Sequence, residues 1–181
     1  ELANNPQSVS LRTLVLQAGQ RLTRGLNSAA AALDRQREQI DEQLTAMVDQ
    51  ANRLLGQIAD INKQIAQADA TGMPGSSAGL CDQRDGYLAE LAGLINFNTQ
   101  AGPDGINIYL GSAPLVMGGQ SFGLRADLGQ PPENGLNVYV EGWSAPASIS
   151  GGRIGGLLAA RADGLDMVRD RLDQLANAVI A

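Results

Sequence analysis

From Ser8 to Ala70 the apolar residues recur at steps of three and four. Leu11, Val15, Ala18, Leu22, Leu26, Ala29 and Leu33 come first, with one stutter between Leu22 and Leu26. Ile40, Leu44, Met47, Ala51, Leu54, Ile58, Ile61, Ile65 and Ala68 follow, alternating four and three. The period is helical throughout and becomes a heptad seam in the second half. No proline and only Gly19, Gly25 and Gly56 fall in this stretch, so the pattern predicts one very long amphipathic helix. About 60 residues at ~1.5 Å each would reach roughly 90 Å, more than twice the width of a compact domain of this size, so the molecule is expected to be a rod in part.

A helix with such a seam needs partner helices. The loop from Thr71 to Gly79, with Gly72, Pro74 and Gly75, ends the long helix and permits reversal. Asp82 to Leu94 then offers Leu88, Leu91 and Ile95 on one side with Tyr87 and Leu94 beside them, a short antiparallel return helix. From about Arg153 to Ala181, Leu165, Val168, Leu172, Leu175 and Val179 repeat the three-four rhythm, with Ser150 as the expected N-cap. Together these make a minimal antiparallel bundle whose helices cover the seam.

The stretch between them reads differently. Residues 99 to 151 hold ten of the 22 glycines and five of the seven prolines. Ile106, Ile108 and Leu110 alternate with Asn107 and Tyr109, and Leu115 to Met117 follow a four-residue connection, which reads as a hairpin. Leu136, Val138 and Val140 alternate likewise, with Ala147 to Ser150 as a short partner. The expected fold is mainly α with a small β part: an elongated antiparallel helical bundle or coiled coil carrying an antiparallel β-hairpin subdomain. The expected organisation is 1–98 for the long and return helices, 99–151 for the β subdomain, and 152–181 for a C-terminal helix packing back on the first region. Asn5 and Pro6 are expected to open the first helix. Both ends read as cuts through a longer polypeptide, since the last helix stops while still apolar.

Composition narrows the chemistry. Hydrophobic residues make up 44% but aromatics only 3%, which suits helix packing by Leu, Ile, Val and Ala. A net charge of -6, with Lys63 the only lysine, argues against a nucleic-acid binder. The absence of histidine removes His-based metal sites, triads and proton shuttles, and the single Cys81 removes an internal disulfide. No run approaches the roughly 18 apolar residues that cross a bilayer.

Several clusters stand out, and each has a plain reading. GGRIGG, with Gly151, Gly152, Gly155 and Gly156, lacks the lysine or parallel sheet of a phosphate loop and reads as a tight strand-to-helix turn with close backbone packing. Asp82, Gln83, Arg84 and Asp85 read as a helix cap and inter-helix tie, with an intersubunit contact as the competitor. Asp163, Asp166, Asp170 and Asp173, interleaved with Arg161, Arg169 and Arg171, read as a solvated face or helix-helix contact. Cys81 reads as a small packed side chain; Trp143 is either a lid on the small core or an exposed contact.

In order and spacing, LRTLVLQAGQRLTRGLN, VDQANRLLGQIADINKQIAQADATG, LCDQRDGYLAELAGLI and ISGGRIGGLLAARADGLD resemble the flagellar hook-associated protein 1 family over essentially all 181 residues. The segments around DQRD and SGGRIGGLL are the most specific, and Cys81 departs from the residue expected before DQRD. The resemblance implies a structural subunit, not an enzyme, with no cofactor. It would be exported through the flagellar type III channel and placed in a ring at the hook-filament junction, outside the cell. Its implied partners are other copies of itself, the flagellar hook protein and a second hook-associated junction protein, with no nucleic acid and no membrane insertion. The segment would be the outward-facing helical domain, without the terminal helices or the larger outer domain. A coiled-coil adaptor or secretion-system tip protein is the rival reading and would show an exposed apolar stripe. A cell-wall hydrolase would need convergent carboxylates from Asp104, Asp127, Glu133 and Glu141.

Overall fold

The computed structural model describes residues 9–70, 75, 77–127 and 136–180. The expectations for Asn5, Pro6, Ser8, Gly72, Pro74 and Glu133 lie outside the described residues. A long helix, a return helix, a small β part and a C-terminal helical run follow one another as predicted, and a π-helical section that the pattern did not announce interrupts the last of them. Helix α1 spans Val9–Ala70 and α2 spans Ala78–Leu94; a C-terminal helical run comprises α3 (Gly152–Ala159), a π-helical section (Ala160–Asp166) and α4 (Met167–Ile180). The residues group into two units, Ile40–Ala162 and Glu1–Gln39 with Asp163–Ala181.

The first of these units holds the core. The heptad seam supplies Leu44, Ala51, Leu54, Ile58, Ile61 and Ile65, all buried, and the flanking Val48, Leu55 and Ala59 are buried as well. The buried stripe is therefore wider than a two-helix seam, because this part of α1 is covered by a helix and by sheet together. Leu91 and Leu94 of α2 and Ile154 of α3 close the same core with Ile95. Burying such side chains contributes about 1.5–3 kcal/mol each, which makes this the dominant favourable contribution. Helix α2 begins four residues earlier than expected, at Ala78, and Ser77 Oγ donates to Asp69 Oδ1 at 2.6 Å, fastening its start to the end of α1.

The β part is two antiparallel sheets. One has the order β1-β2-β3-β4 from Asn98–Gly102, Gly105–Leu110, Ala113–Met117 and Gln120–Ser121; the other pairs β5 (Leu124–Asp127) with β6 (Asn137–Val140). The predicted hairpin is present, but Leu110 pairs with Ala113, so its connection is two residues, Gly111 and Ser112, rather than four. Ala113 and Pro114 belong to the strand instead, because a register shift between Ile108 and Tyr109 absorbs the extra residue beside the proline. The main partner of β6 is β5, not residues 147–150. That later segment contributes only a Tyr139–Pro146 bridge and the bond from Ala147 N to Val138 O at 2.7 Å.

Two asparagines of α1 join the helix to the sheets. Asn62 is fully buried; its Nδ2 donates to Ile106 O at 2.9 Å and Gly118 O at 2.8 Å, and Ile106 N donates to its Oδ1 at 3.4 Å. Asn52 exchanges both bonds with the backbone of Leu124, receiving from its N at 2.7 Å and donating to its O at 2.9 Å. A side-chain amide presents the donor and acceptor of a peptide group, so each asparagine substitutes for a missing neighbouring strand.

Candidate functional site

The glycine cluster expected at the strand-to-helix turn is built by steric need. Gly152 has φ +70, and a Cβ there would lie 2.4 Å from both C and O of Leu94. At Gly155 a Cβ would meet Ser150 C at 2.9 Å, and at Gly151 it would meet Asn96 Cβ at 3.2 Å. Asn96 Oδ1 accepts from the N–H groups of Ser150 and Gly151 at 3.0 and 3.1 Å, so this turn's amides are directed into a side chain. The helix starts after Gly151 in extended conformation, with no side-chain cap, so Ser150 is not the N-cap. Its N–H is held outside the helix by Asn96. Gly156 differs from its neighbours: nothing lies within 4 Å of its Cβ position.

The DQRD cluster sits inside α2 rather than at its start. Because the helix extends back to Ala78, Asp82 is in its second turn and exposed. Arg84 is half-buried, and its Nε lies 3.8 Å from Asp85 Oδ1, its own helix neighbour. That Nε is buried without a hydrogen-bond partner among the described residues. Cys81 is half-buried within the first turn of the same helix.

Arginine-aspartate pairs are the strongest polar contacts of the C-terminal run. Within the core unit, Arg161 is buried, and its Nε lies 2.8 Å from Asp41 Oδ1 in an ionic approach off the hydrogen-bond direction. Its Nη2 adds a bond to Oδ2 at 3.4 Å. Within the unit formed by residues 9–39 and 163–180, Arg37 Nε is 3.3 Å from Asp166 Oδ1, and Arg169 Nη1 donates to Asp34 Oδ1. Those two pairs run in opposite chain directions and so set α4 antiparallel to α1. Of the four aspartates singled out in the sequence, Asp166 makes such a pair, whereas Asp163, Asp170 and Asp173 are exposed.

Sequence periodicity implied that this second unit would hide its seam, and it does not. Of the seam residues, Val15 is 50% exposed and Leu22 43%, and Leu14 and Leu16, off the seam, are exposed as well; on the C-terminal helix Val168, Leu175 and Val179 are 50–54% exposed. Two helices cannot enclose a seam on both, and an open apolar groove of about 450 Å³ remains between Ala29, Leu33, Val168, Leu172 and Leu175. Trp143, on the turn after β6, is 42% exposed, closer to a contact residue than to a lid.

Among the described residues, the carboxylates that a hydrolase would need lie on separate elements. Asp104 lies in the β1–β2 turn, Asp127 ends β5 with its carboxylate 2.7 Å from Arg125, and Glu141 follows β6 beside Gly123. Among the described residues no group of three or more Cys, Asp or Glu could hold a metal ion, and no helix is long and apolar enough to cross a membrane.

The chain is a mainly helical domain with a small antiparallel β part. The chain belongs to the family described as the flagellar hook-associated protein FlgK helical domain, whose model matches residues 1–181. Among its relatives is flagellar hook-associated protein 1 of Escherichia coli (strain K12), 29% identical over 183 residues, covering 97% of this chain and 34% of that protein. The Bacillus subtilis (strain 168) protein of the same name is 31% identical over 107 residues, covering 59% of this chain and 21% of its own. The solved flagellar hook junction protein FlgK of Burkholderia pseudomallei superposes with a TM-score of 0.77 at 29% identity, over 94% of this chain and 32% of that one. The chain thus spans about a third of the length of the Escherichia coli relative. This is the family that the DQRD and SGGRIGGLL segments resemble.

Proposed function

We propose that this chain is the helical domain of a structural subunit that joins the flagellar hook to the filament. The observation that carries the reading is the family match along the whole chain, from 1 to 181. On this reading the subunit leaves the cell through the flagellar type III channel. It then works by lateral and axial contact with other copies of itself, with the hook protein and with a second hook-associated junction protein. A contact-driven role suits a domain whose polar residues are used in ion pairs and backbone clamps. The core unit supplies a rigid body in which the Asn62 and Asn52 amides lock sheet to helix, and the 9–39/163–180 unit supplies exposed surface.

The coiled-coil adaptor remains the second reading because its distinguishing feature, an exposed apolar stripe, is present on α1 and α4. Deleting the codons for these 181 residues from the natural gene separates the two. The junction reading expects cells with hooks but no filaments and with filament subunits released into the medium. Normal filaments with a defect elsewhere in secretion would favour the adaptor. Isolated, the domain is expected to sediment as a monomer at micromolar concentration, and a stable oligomer would count against contacts that need the longer protein.

A further inference from the structure

Among the described residues, the strand edges of the core unit are closed in several ways. Asn62 fills the place beside Ile106 and Gly118, Asn52 takes both backbone groups of Leu124, and Ala147 N–H reaches Val138 O on the outer side of β6. At one end of the four-stranded sheet, β4 is only two residues long. Short strands and covered edges protect a sheet against unwanted pairing. Strand β1, at the other end, has neither device. Its five residues have β2 on one side and no strand on the other, carry no charge and no proline, and are exposed up to Gly102. The register shift lies between β2 and β3, so no bulge twists this edge away. The direction of its free groups follows from Asn62. The N–H and C=O of Ile106 point to that side chain, away from β1. Ile106 faces Ala101 across the β1–β2 ladder in a pair without mutual hydrogen bonds, so Ala101 turns its own N–H and C=O outward. Alternation gives Thr99 the same direction, whereas Asn98, Gln100 and Gly102 bond to β2. Among the described residues no hydrogen bond reaches the Thr99 or Ala101 backbone from the outer side. Their side chains share a face with Ile108 and Ile106, which pack in the core, yet both are themselves exposed.

We propose that this edge pairs antiparallel with β1 of a second copy of this chain, on a two-fold axis through Gln100. In that register Thr99 of each copy faces Ala101 of the other, so the outward groups meet in four N–H to C=O bonds. All five residues are then paired, whereas moving the axis to Thr99 or Ala101 leaves three. The strand is uncharged, so no like charges are brought together, and the Thr99 and Ala101 side chains of both copies continue the core face. A second copy is the occupant whose length, register and charge this sequence itself fixes. Five residues a side bury far less than the roughly 1,200 Å² of a stable interface, so the domain stays a monomer at micromolar concentration. Pairing sets in toward millimolar concentration, or where copies are held side by side. The contact requires only the open edge and stands apart from the junction reading.

The test places one cysteine on the strand in the Cys81→Ser background and oxidises the intact domain at about 0.5 mM. Gln100→Cys sits on the axis opposite its own equivalent, in a non-hydrogen-bonded pair with Cα atoms about 4.5 Å apart, within disulfide reach. Asn98→Cys faces Gly102 instead and lies about 13 Å along the strand from its equivalent. Gln100→Cys is expected to form the disulfide dimer at least tenfold faster than Asn98→Cys. Adding Thr99→Pro, which removes an outward N–H and leaves the β1–β2 ladder intact, is expected to cut that rate at least tenfold. Ala101→Lys keeps every backbone group and is expected to cut it at least threefold, which serves where the proline variant fails to fold. In the unsubstituted domain, amide exchange at Thr99 and Ala101 is expected to slow between about 0.05 and 1 mM. Equal rates at the two cysteine positions, crosslinking untouched by both edge variants, or exchange at Thr99 and Ala101 independent of domain concentration would overturn the proposal. So would protection of those amides by an unrelated alternating Thr/Val peptide without any self-association, because the occupant is then a foreign strand.

Discussion

Replacing Asn62 by alanine removes three hydrogen bonds at once, to Ile106 N, Ile106 O and Gly118 O. A net bond of this kind contributes about 0.5–1.5 kcal/mol, and an orphaned buried partner costs about 1–3 kcal/mol. Asn62 is fully buried, but Ile106 and Gly118 are half-buried, so water reaches part of what is exposed. The expected loss is therefore about 3 kcal/mol rather than the sum of the upper limits, or a fall in Tm of roughly 6–12 °C for a chain of this length. Urea unfolding followed by far-UV circular dichroism gives the total, and amide hydrogen exchange at Ile106 locates it. A second variant tests the geometry. Gly105 has φ +118, and a Cβ there would lie 2.6 Å from Asn62 Oδ1. Gly105→Ala is thus expected to cost less in the Asn62→Ala background than alone, since the clashing atom is gone while the backbone strain stays. A loss under about 0.5 kcal/mol for Asn62→Ala, unchanged protection of Ile106, or strictly additive variants would refute the clamp.

Gly152→Ala should destabilise by about 2–4 kcal/mol, combining a left-handed backbone with contact against the Leu94 carbonyl, whereas Gly156→Ala should stabilise by about 0.5–1 kcal/mol as a helix-interior glycine in open space; thermal melts of the pair check both signs. Arg161→Ala, which strands the Asp41 carboxylate, is expected to cost about 2–4 kcal/mol, and Arg161→Met paired with Asp41→Leu should recover most of that, as seen in urea midpoints. By contrast, Lys63→Ala should change stability by under about 0.5 kcal/mol, because its pair with Asp60 at 3.1 Å is exposed on both sides.

Exposed polar contacts such as that one explain why the helical surface carried so little readable chemistry. The Asp82–Asp85 cluster looked like a cap because four polar residues followed a glycine-rich loop, yet the helix reaches back through Ala78, Gly79 and Leu80, which have no capping side chain to announce a start. Asn52 and Asn62 passed as ordinary polar positions on a long helix. Their function depends on strands more than 40 residues away, and no local spacing signals that a buried amide faces a strand edge. The one available hint was that Asn62 falls next to Ile61 within the seam, where a polar residue needs a partner.

The sequence by itself determined where helices run and that they are long, because the three-four recurrence and the lack of proline from 8 to 70 are local properties that fix an amphipathic helix whatever surrounds it. It also determined the family, through the DQRD and SGGRIGGLL segments, and it excluded histidine chemistry by simple absence. Tertiary structure alone decided which half of the seam is buried: Leu44 to Ile65 disappear beneath α2, α3 and two sheets, while Val15, Leu22, Val168 and Leu175 stay in view. Periodicity records that a face is apolar, but whether that face is covered depends on how many neighbours arrive, and a helix can be enclosed only when helices or strands approach it from more than one side.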